Sequence, residues 1–162
     1  MDAKRLTRGE VVAGVAGIAL IIISVIPQWG SVSLDGVSFG NGSGGSFSLW
    51  EAGGFGVLPK LAAFLGLAAV VLVLVRAAGA VWSIPTVTYL ALGVAATLLM
   101  LMGVAVGPSF QGAGPIGIEE TRGPLLYAGA VLCAVILFGG WLHLRSGDTD
   151  DFGNRSAAPP PM

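Results

Sequence analysis

Four long apolar stretches, almost free of charge, constrain what this chain can fold into. The first runs from Val11 to Ile26 with Ser24 as its only polar residue. The second runs from Leu61 to Val75, meets Arg76 and continues as Ala77–Trp82. The third spans Pro85 to Val106 and the fourth Pro124 to Leu142. A membrane helix needs about 20 apolar residues. The third and fourth stretches meet that length directly, and Gly9 with the Pro27–Trp29 flank extends the first. The second reaches full length if Arg76 snorkels its guanidinium to a headgroup layer. Charged residues make up only 10% of the chain, against 54% hydrophobic, and a soluble domain carries about 25% charge. The pattern points away from a soluble enzyme and towards four membrane spans.

The expected organisation is an all-α membrane protein, a four-transmembrane-helix bundle over residues 1–144. Its spans lie near 9–28, 59–82, 85–106 and 124–143, with extracellular loops at 29–58 and 107–123. Residues 145–162 read as a disordered cytoplasmic tail, polar and ending in Ala-Ala-Pro-Pro-Pro-Met. Lys4, Arg5 and Arg8 before an apolar run resemble the start of a signal peptide, but no small-x-small pattern follows the run, which favours an uncleaved first helix. Orientation follows from the cations. With the N-terminus inside, Lys4, Arg5, Arg8, Arg76, Arg145 and Arg155 are internal, and only Lys60 and Arg122 are external. Both termini are thus expected in the cytoplasm, with the chain in the plasma (cytoplasmic) membrane. Trp29, Trp82 and Trp141 fall at the matching bilayer edges.

The first outer loop carries a fold signal of its own. Ser31-Val32-Ser33-Leu34 and Val37-Ser38-Phe39 alternate polar with apolar on either side of Asp35-Gly36. That is the signature of a hairpin closed by a two-residue turn. The register then sets Leu34 opposite Val37, Ser33 opposite Ser38 and Val32 opposite Phe39. Ser46-Phe47-Ser48-Leu49-Trp50 reads as a third strand. A small antiparallel sheet in the first extracellular loop is expected.

Four spans, cytoplasmic ends, a β-structured first loop, and Trp29 followed by Leu49-Trp50 together resemble the claudin family. Members of that family carry a Trp at the start of the loop and a Gly-Leu-Trp motif further along. Here Ser48 stands in place of the Gly, and the two cysteines that follow the motif are absent. The resemblance implies an architecture, in which Trp29 and Trp50 meet at the outer membrane surface and pin the sheet to the helices; the alternative is that each is a separate interfacial anchor with no mutual contact. The Ala/Gly/Val-rich, Lys-poor composition also resembles small four-span membrane proteins of high-G+C bacteria.

The second outer loop holds Glu119, Glu120 and Arg122 ahead of Pro124. Acidic residues there suit the positive end of the fourth helix, and Pro suits its first turn. Asp35, Glu51, Glu119 and Glu120 could group as oxygen ligands for a cation, but no spacing enforces it. Salt bridges from Lys60 to Glu51 and from Arg122 to Glu119–Glu120 are the simpler expectation. Within the spans no acid or histidine is expected at depth. Arg76 and His143 read as snorkelling residues near the inner edge, and His143 has no evident partner. Ser24, Thr86, Thr88 and Thr97 can bond to helix backbone. Cys133, the single cysteine, reads as packing, and no metal or other cofactor is implied. Ala13/Gly17, Gly14/Gly17, Ala62/Gly66 and Gly103/Gly107 place small residues at helix-packing spacing.

Without a nucleophile–base pair the chain reads as no enzyme. Eight scattered cations give no basis for binding nucleic acid. The partners implied are the lipid bilayer and either another membrane protein or further copies of the chain. The leading reading is a non-enzymatic interaction, scaffold or accessory subunit. The alternative is a component of an oligomeric transporter or channel.

Overall fold

A computed structural model describes residues 6–34, 37–38, 45–53, 56–78, 85, 87–106, 109–110 and 118–155; for 32–34, 37–38, 53, 109–110, 118–120 and 147–155 it describes the backbone course alone. In chain order the elements are α1 (Arg8–Ser24), β1 (Gly30–Leu34), β2 (Val37–Ser38), β3 (Ser46–Phe47), β4 (Ala52–Gly53), α2 (Val57–Ala77), α3 (Val87–Val106), β5 (Ser109–Phe110), β6 (Ile118–Arg122) and α4 (Pro124–Arg155). α2, α3 and the Pro124–Ser146 part of α4 are each long and apolar enough to cross a membrane.

α1 is shorter than the 9–28 span expected. It ends at Ser24, with Val25 as its C-cap, because Pro27 offers no amide and disfavours helix in the residue before it. Its start is firmly set. Thr7 is the N-cap, its hydroxyl accepting from the Glu10 amide while the Glu10 carboxylate accepts from the Thr7 amide. This reciprocal capping box satisfies two amides that the helix leaves open. α4 begins on Pro124 as its composition suggested, but continues to Arg155. Within the 145–162 stretch, expected to be disordered, helix carries on past the apolar segment as far as Arg155, and no proline interrupts it before Pro159. Residues 156–162 lie outside the described part.

The helices pack as a ring in which α1 and α3 each lie against both α2 and α4. The core is built from small residues: Ala13, Ala16, Ala62, Ala63, Ala69 and Ala96 are buried, while Val15, Ile22, Phe64, Leu98 and Val131 face outward. A chain in water would place the large apolar residues inside. In lipid an outer face that is apolar throughout carries no penalty, and close backbone approach drives packing. Gly17 lies against the Gly66 carbonyl, Gly139 against Gly9 and Ala13, and Gly103 against Pro59. Three of the expected small-residue pairs thus supply contacts, and Gly107 lies outside the described residues. Ser24 and Thr97 donate to Ile21 and Gly93 carbonyls on their own helices.

An antiparallel sheet lies at the end where α1 stops and α4 starts. β1 is its centre. β2 pairs with the far half of β1 in the expected register, Ser33 opposite Ser38 and Leu34 opposite Val37. The Asp35-Gly36 turn and Phe39 lie outside the described residues. β3 pairs with the near half, Gly30 opposite Phe47 and Ser31 opposite Ser46. The third strand is shorter than expected, because the chain turns away after Phe47. The other edge of β1 is covered by β6, Gly30 to Leu34 running opposite Arg122 to Ile118. The sheet is therefore not a product of the first loop alone. A second small pair, β4 with β5, joins the same two connections again.

Candidate functional site

At the opposite end, polar side chains from every helix converge on one buried point. α1 contributes Glu10, whose side chain is 0% exposed. From the last turn of α2, Arg76 places Nη1 2.6 Å from Glu10 Oε1, with the guanidinium side chain 38% exposed. α4 contributes His143, buried, whose Nδ1 lies 2.8 Å from Thr7 Oγ1 and 4.0 Å from Glu10 Oε1. Its Nε2 lies 3.4 Å from Arg76 Nη1. α3 contributes Tyr89, buried, its ring edge-on to the imidazole at 5.1 Å and 76°. The Tyr89 hydroxyl has no hydrogen-bond partner among the described residues.

The local folding that makes this cluster is plain. The capping box fixes the Glu10 carboxylate over the first turn of α1, with Oε2 accepting from Thr7 N at 2.8 Å and Thr7 Oγ1 at 3.2 Å. Gly9 and Gly139 let α1 and α4 approach so closely that His143 reaches the same turn. Burying a carboxylate is costly unless it is paired and hydrogen-bonded. Glu10 has both.

Glu10, Arg76 and His143 all lie at helix ends rather than mid-span, as expected. What the site corrects is their isolation: Arg76 pairs with Glu10 rather than only snorkelling, and His143, expected to lack a partner, has three polar neighbours. Glu10 itself was passed over, although Thr7-Arg8-Gly9-Glu10 ahead of an apolar run is a readable capping-box signal. What no local pattern reveals is that Arg76 and His143 meet there.

The residues singled out around the sheet are arranged differently from expectation. Trp29 is 1% exposed and donates from Nε1 to the Ile23 carbonyl at 2.7 Å. Its ring packs by Gly129 and Met100. Trp50 is 42% exposed, donates from Nε1 to Ser24 Oγ at 3.1 Å and meets Phe64 edge-on at 5.5 Å. Both tryptophans thus hold the last turn of α1, at neighbouring residues, but their rings have separate partners. Leu49 is buried in the core. Glu51 does not pair with Lys60. Its Oε2 accepts from Ser48 N at 2.7 Å and Ser48 Oγ at 3.0 Å, and the amide bond holds its carboxyl below the usual carboxylate range. Lys60 donates to the Ala52 carbonyl instead. Arg122 donates from Nη2 to the Ala105 carbonyl at 3.0 Å.

Asp35 and Gly36 lie outside the described residues. Glu119 and Glu120 sit on β6 opposite Ser33 and Val32, ahead of α4 as expected but on a strand the sequence did not suggest, the pairing with β1 outweighing their low strand propensity. Among the described residues no three His, Cys, Asp or Glu side chains group as a metal site. Comparison of the sequence with protein-family models and with curated proteins gives no match.

Proposed function

We propose that this chain is a four-span membrane protein, with α1 as the remaining span, that acts through contacts with other membrane proteins and not through catalysis. The observation that carries this reading is the sheet drawn from both connections. β1 is paired along its whole length with β6 and shares its other edge between β2 and β3. Trp29, at its base, is anchored in the helices by ring and backbone alike: its amide donates to Phe47 O, and its carbonyl accepts from Gly123 N. Such a cap offers a surface for recognition, and the half-exposed Trp50 beside it suits a partner contact.

The cation asymmetry supports both termini in the cytoplasm of a cell whose plasma membrane holds the chain, with the sheet outside. A helix of 17 residues is about 25 Å long, close to the ~30 Å hydrocarbon core. The claudin-like architecture fits the same frame, with Trp29 and Leu49–Trp50 as its points of likeness.

A second reading, a component of an oligomeric transporter or channel, is favoured by one observation. Ionisable residues packed among membrane helices commonly mark ion or proton pathways, and the buried Glu10 and His143 with the partly exposed Arg76 are such a set, gathered at the helix ends. Extraction in mild detergent followed by co-purification separates the two. A stable heteromeric partner supports the first reading, and a homo-oligomer with a water-filled axis overturns it in favour of the second. Labelling of single cysteines placed at Gly45 and Ser146 from outside intact cells tests the orientation: Gly45 should react and Ser146 should not.

A further inference from the structure

The hydrogen bonds around His143 determine its tautomer. Thr7 Oγ1 accepts from the Glu10 amide and lies within donating distance of Glu10 Oε2, a carboxylate oxygen that can only accept. With its one proton directed to the carboxylate, Oγ1 must accept at the 2.8 Å contact, so His143 Nδ1 carries the hydrogen. On the other side of the ring, Arg76 Nη1 can only donate, so Nε2 must accept. The imidazole is therefore neutral, protonated at Nδ1, and wedged between a hydroxyl and a guanidinium.

A proton added at Nε2 changes the ring's relation to Arg76 and to Glu10. The Nε2–H would face the N–H of Arg76, donor against donor, and two cations would stand 3.4 Å apart. At the same time the new imidazolium lies 4.0 Å from Glu10 Oε1, an oxygen that has no hydrogen bond and is held only by the Arg76 ion pair. Arg76 has an exit, being partly exposed on the last turn of α2, whereas His143 and Glu10 are enclosed. Among the described residues the remaining neighbours offer no competing counter-ion. α3 presents Tyr89, edge-on to the ring. On α4 itself Arg145 lies over the Trp141 ring at 5.5 Å, and Ser146 Oγ donates to the His143 carbonyl.

We propose that the cluster is a pH-operated counter-ion exchange: a proton taken up at His143 Nε2 replaces Arg76 as the partner of Glu10 and releases the end of α2 from the α1–α4 pair. The proton comes from solvent, the imidazolium balances the carboxylate, and the guanidinium goes to water with its charge unchanged. α2 is thus fastened to its neighbours at this end when His143 is neutral and unfastened when it is charged. The exchange holds under either function above.

The chain has a single histidine, so imidazole nitrogen-15 signals of the full protein in lipid nanodiscs report this ring alone. At about pH 8 the spectrum should show hydrogen on Nδ1 and a bare Nε2, and stepwise descent to about pH 4, past the range in which free histidine titrates, should protonate Nε2 in one step. Phenylglyoxal modification of Arg76, measured by mass spectrometry relative to exposed Arg8 in the same molecule, should rise several-fold over that same step. In His143→Asn, which keeps a donor towards Thr7 and cannot titrate, the Arg76-to-Arg8 ratio should stay flat. The proposal is overturned by an Nε2–H tautomer at high pH, by an imidazole that takes no proton over this range, by an Arg76 ratio that stays flat while the imidazole titrates, or by a ratio that still rises in the Asn variant.

Discussion

Glu10 Oε1 and Arg76 Nη1 stand 2.6 Å apart across the α1–α2 contact, the carboxylate fully enclosed and the guanidinium reaching out to solvent. The asymmetry decides which partner matters more to its neighbour. Arg76 without Glu10 can hydrate, whereas Glu10 without Arg76 is a buried charge left to its capping bonds. Removing one member of a buried pair costs about 3–5 kcal/mol. Arg76→Gln should fall at the low end, ~3 kcal/mol, because part of the pair is already wet. Glu10→Gln should cost less, since a neutral amide needs no counter-ion. Thermal unfolding in detergent checks the order; equal losses would mean that the pair is not buried in solution.

Two glycines one turn apart on α1 should respond oppositely to the same change. A Cβ on Gly14 would meet Val73 at 3.4 Å, an ordinary contact, but on Gly17 it would fall 2.7 Å from the Gly66 carbonyl. Gly14→Ala is expected to be neutral or to stabilise by up to ~1 kcal/mol through helix propensity. Gly17→Ala must push α1 from α2 and should destabilise. Melting temperatures of the two variants, measured side by side, test this, and matching shifts would refute the close approach.

How much of this was legible beforehand depends on the range of the contacts. The apolar runs and the Ser33–Ser38 and Leu34–Val37 register are local patterns: the register appears as expected, and a helix forms on each run although α1 stops at Ser24. β6 was not legible, because Ile118-Glu119-Glu120-Thr121-Arg122 alternates poorly and its partner β1 lies far away in sequence. Glu10 was half legible: the capping box is local, but its counter-ion and the histidine come from α2 and α4. Trp29 and Trp50 were visible as a pair in sequence, yet each found its own partners, Trp29 over Gly129 and Trp50 against Phe64.

The separate settings of those two tryptophans give a third expectation. Trp29→Ala empties a buried site and should cost ~3–5 kcal/mol. Trp50→Ala, at a half-exposed ring, should cost much less. With no ring contact between them, a double-mutant cycle read by thermal stability should be additive within about 0.3–0.5 kcal/mol. A larger coupling would mean that the rings meet, as the claudin-like resemblance implies.

Glu51 supplies a pH dependence with a definite sign. Its carboxyl is held below the ordinary 4.5 chiefly by the Ser48 amide, then by the Ser48 hydroxyl. A lowered folded-state value adds stability above the unfolded value, and that stability is lost as pH falls through the folded one. The Ser48–Glu51 turn should therefore stay closed at neutral pH and loosen only in acid, below the ordinary glutamate range. Fluorescence of the adjacent Trp50, taken as the difference between the parent and Glu51→Gln, should show that acid step. Ser48→Ala should move it to higher pH, since one of the two bonds is gone.

The pairing of β1 with β6 can be tested covalently. Ser31 and Thr121 are Cα partners in that register, and directly opposed antiparallel residues have Cα atoms about 4.5–5.5 Å apart. Disulfides need roughly 4.4–6.8 Å, so Ser31→Cys with Thr121→Cys should crosslink under mild oxidation. The native Cys133 is buried in the core and does not compete. Val32→Cys with Thr121→Cys shifts the register by one and turns the two side chains to opposite faces, so it should crosslink poorly. Cleavage at a protease site inserted between α2 and α3, followed by electrophoresis without reductant, reads the result: the two halves remain joined only in the first variant. Crosslinking of both pairs alike would mean that the two connections touch loosely, and that the cap offers no fixed surface to a partner.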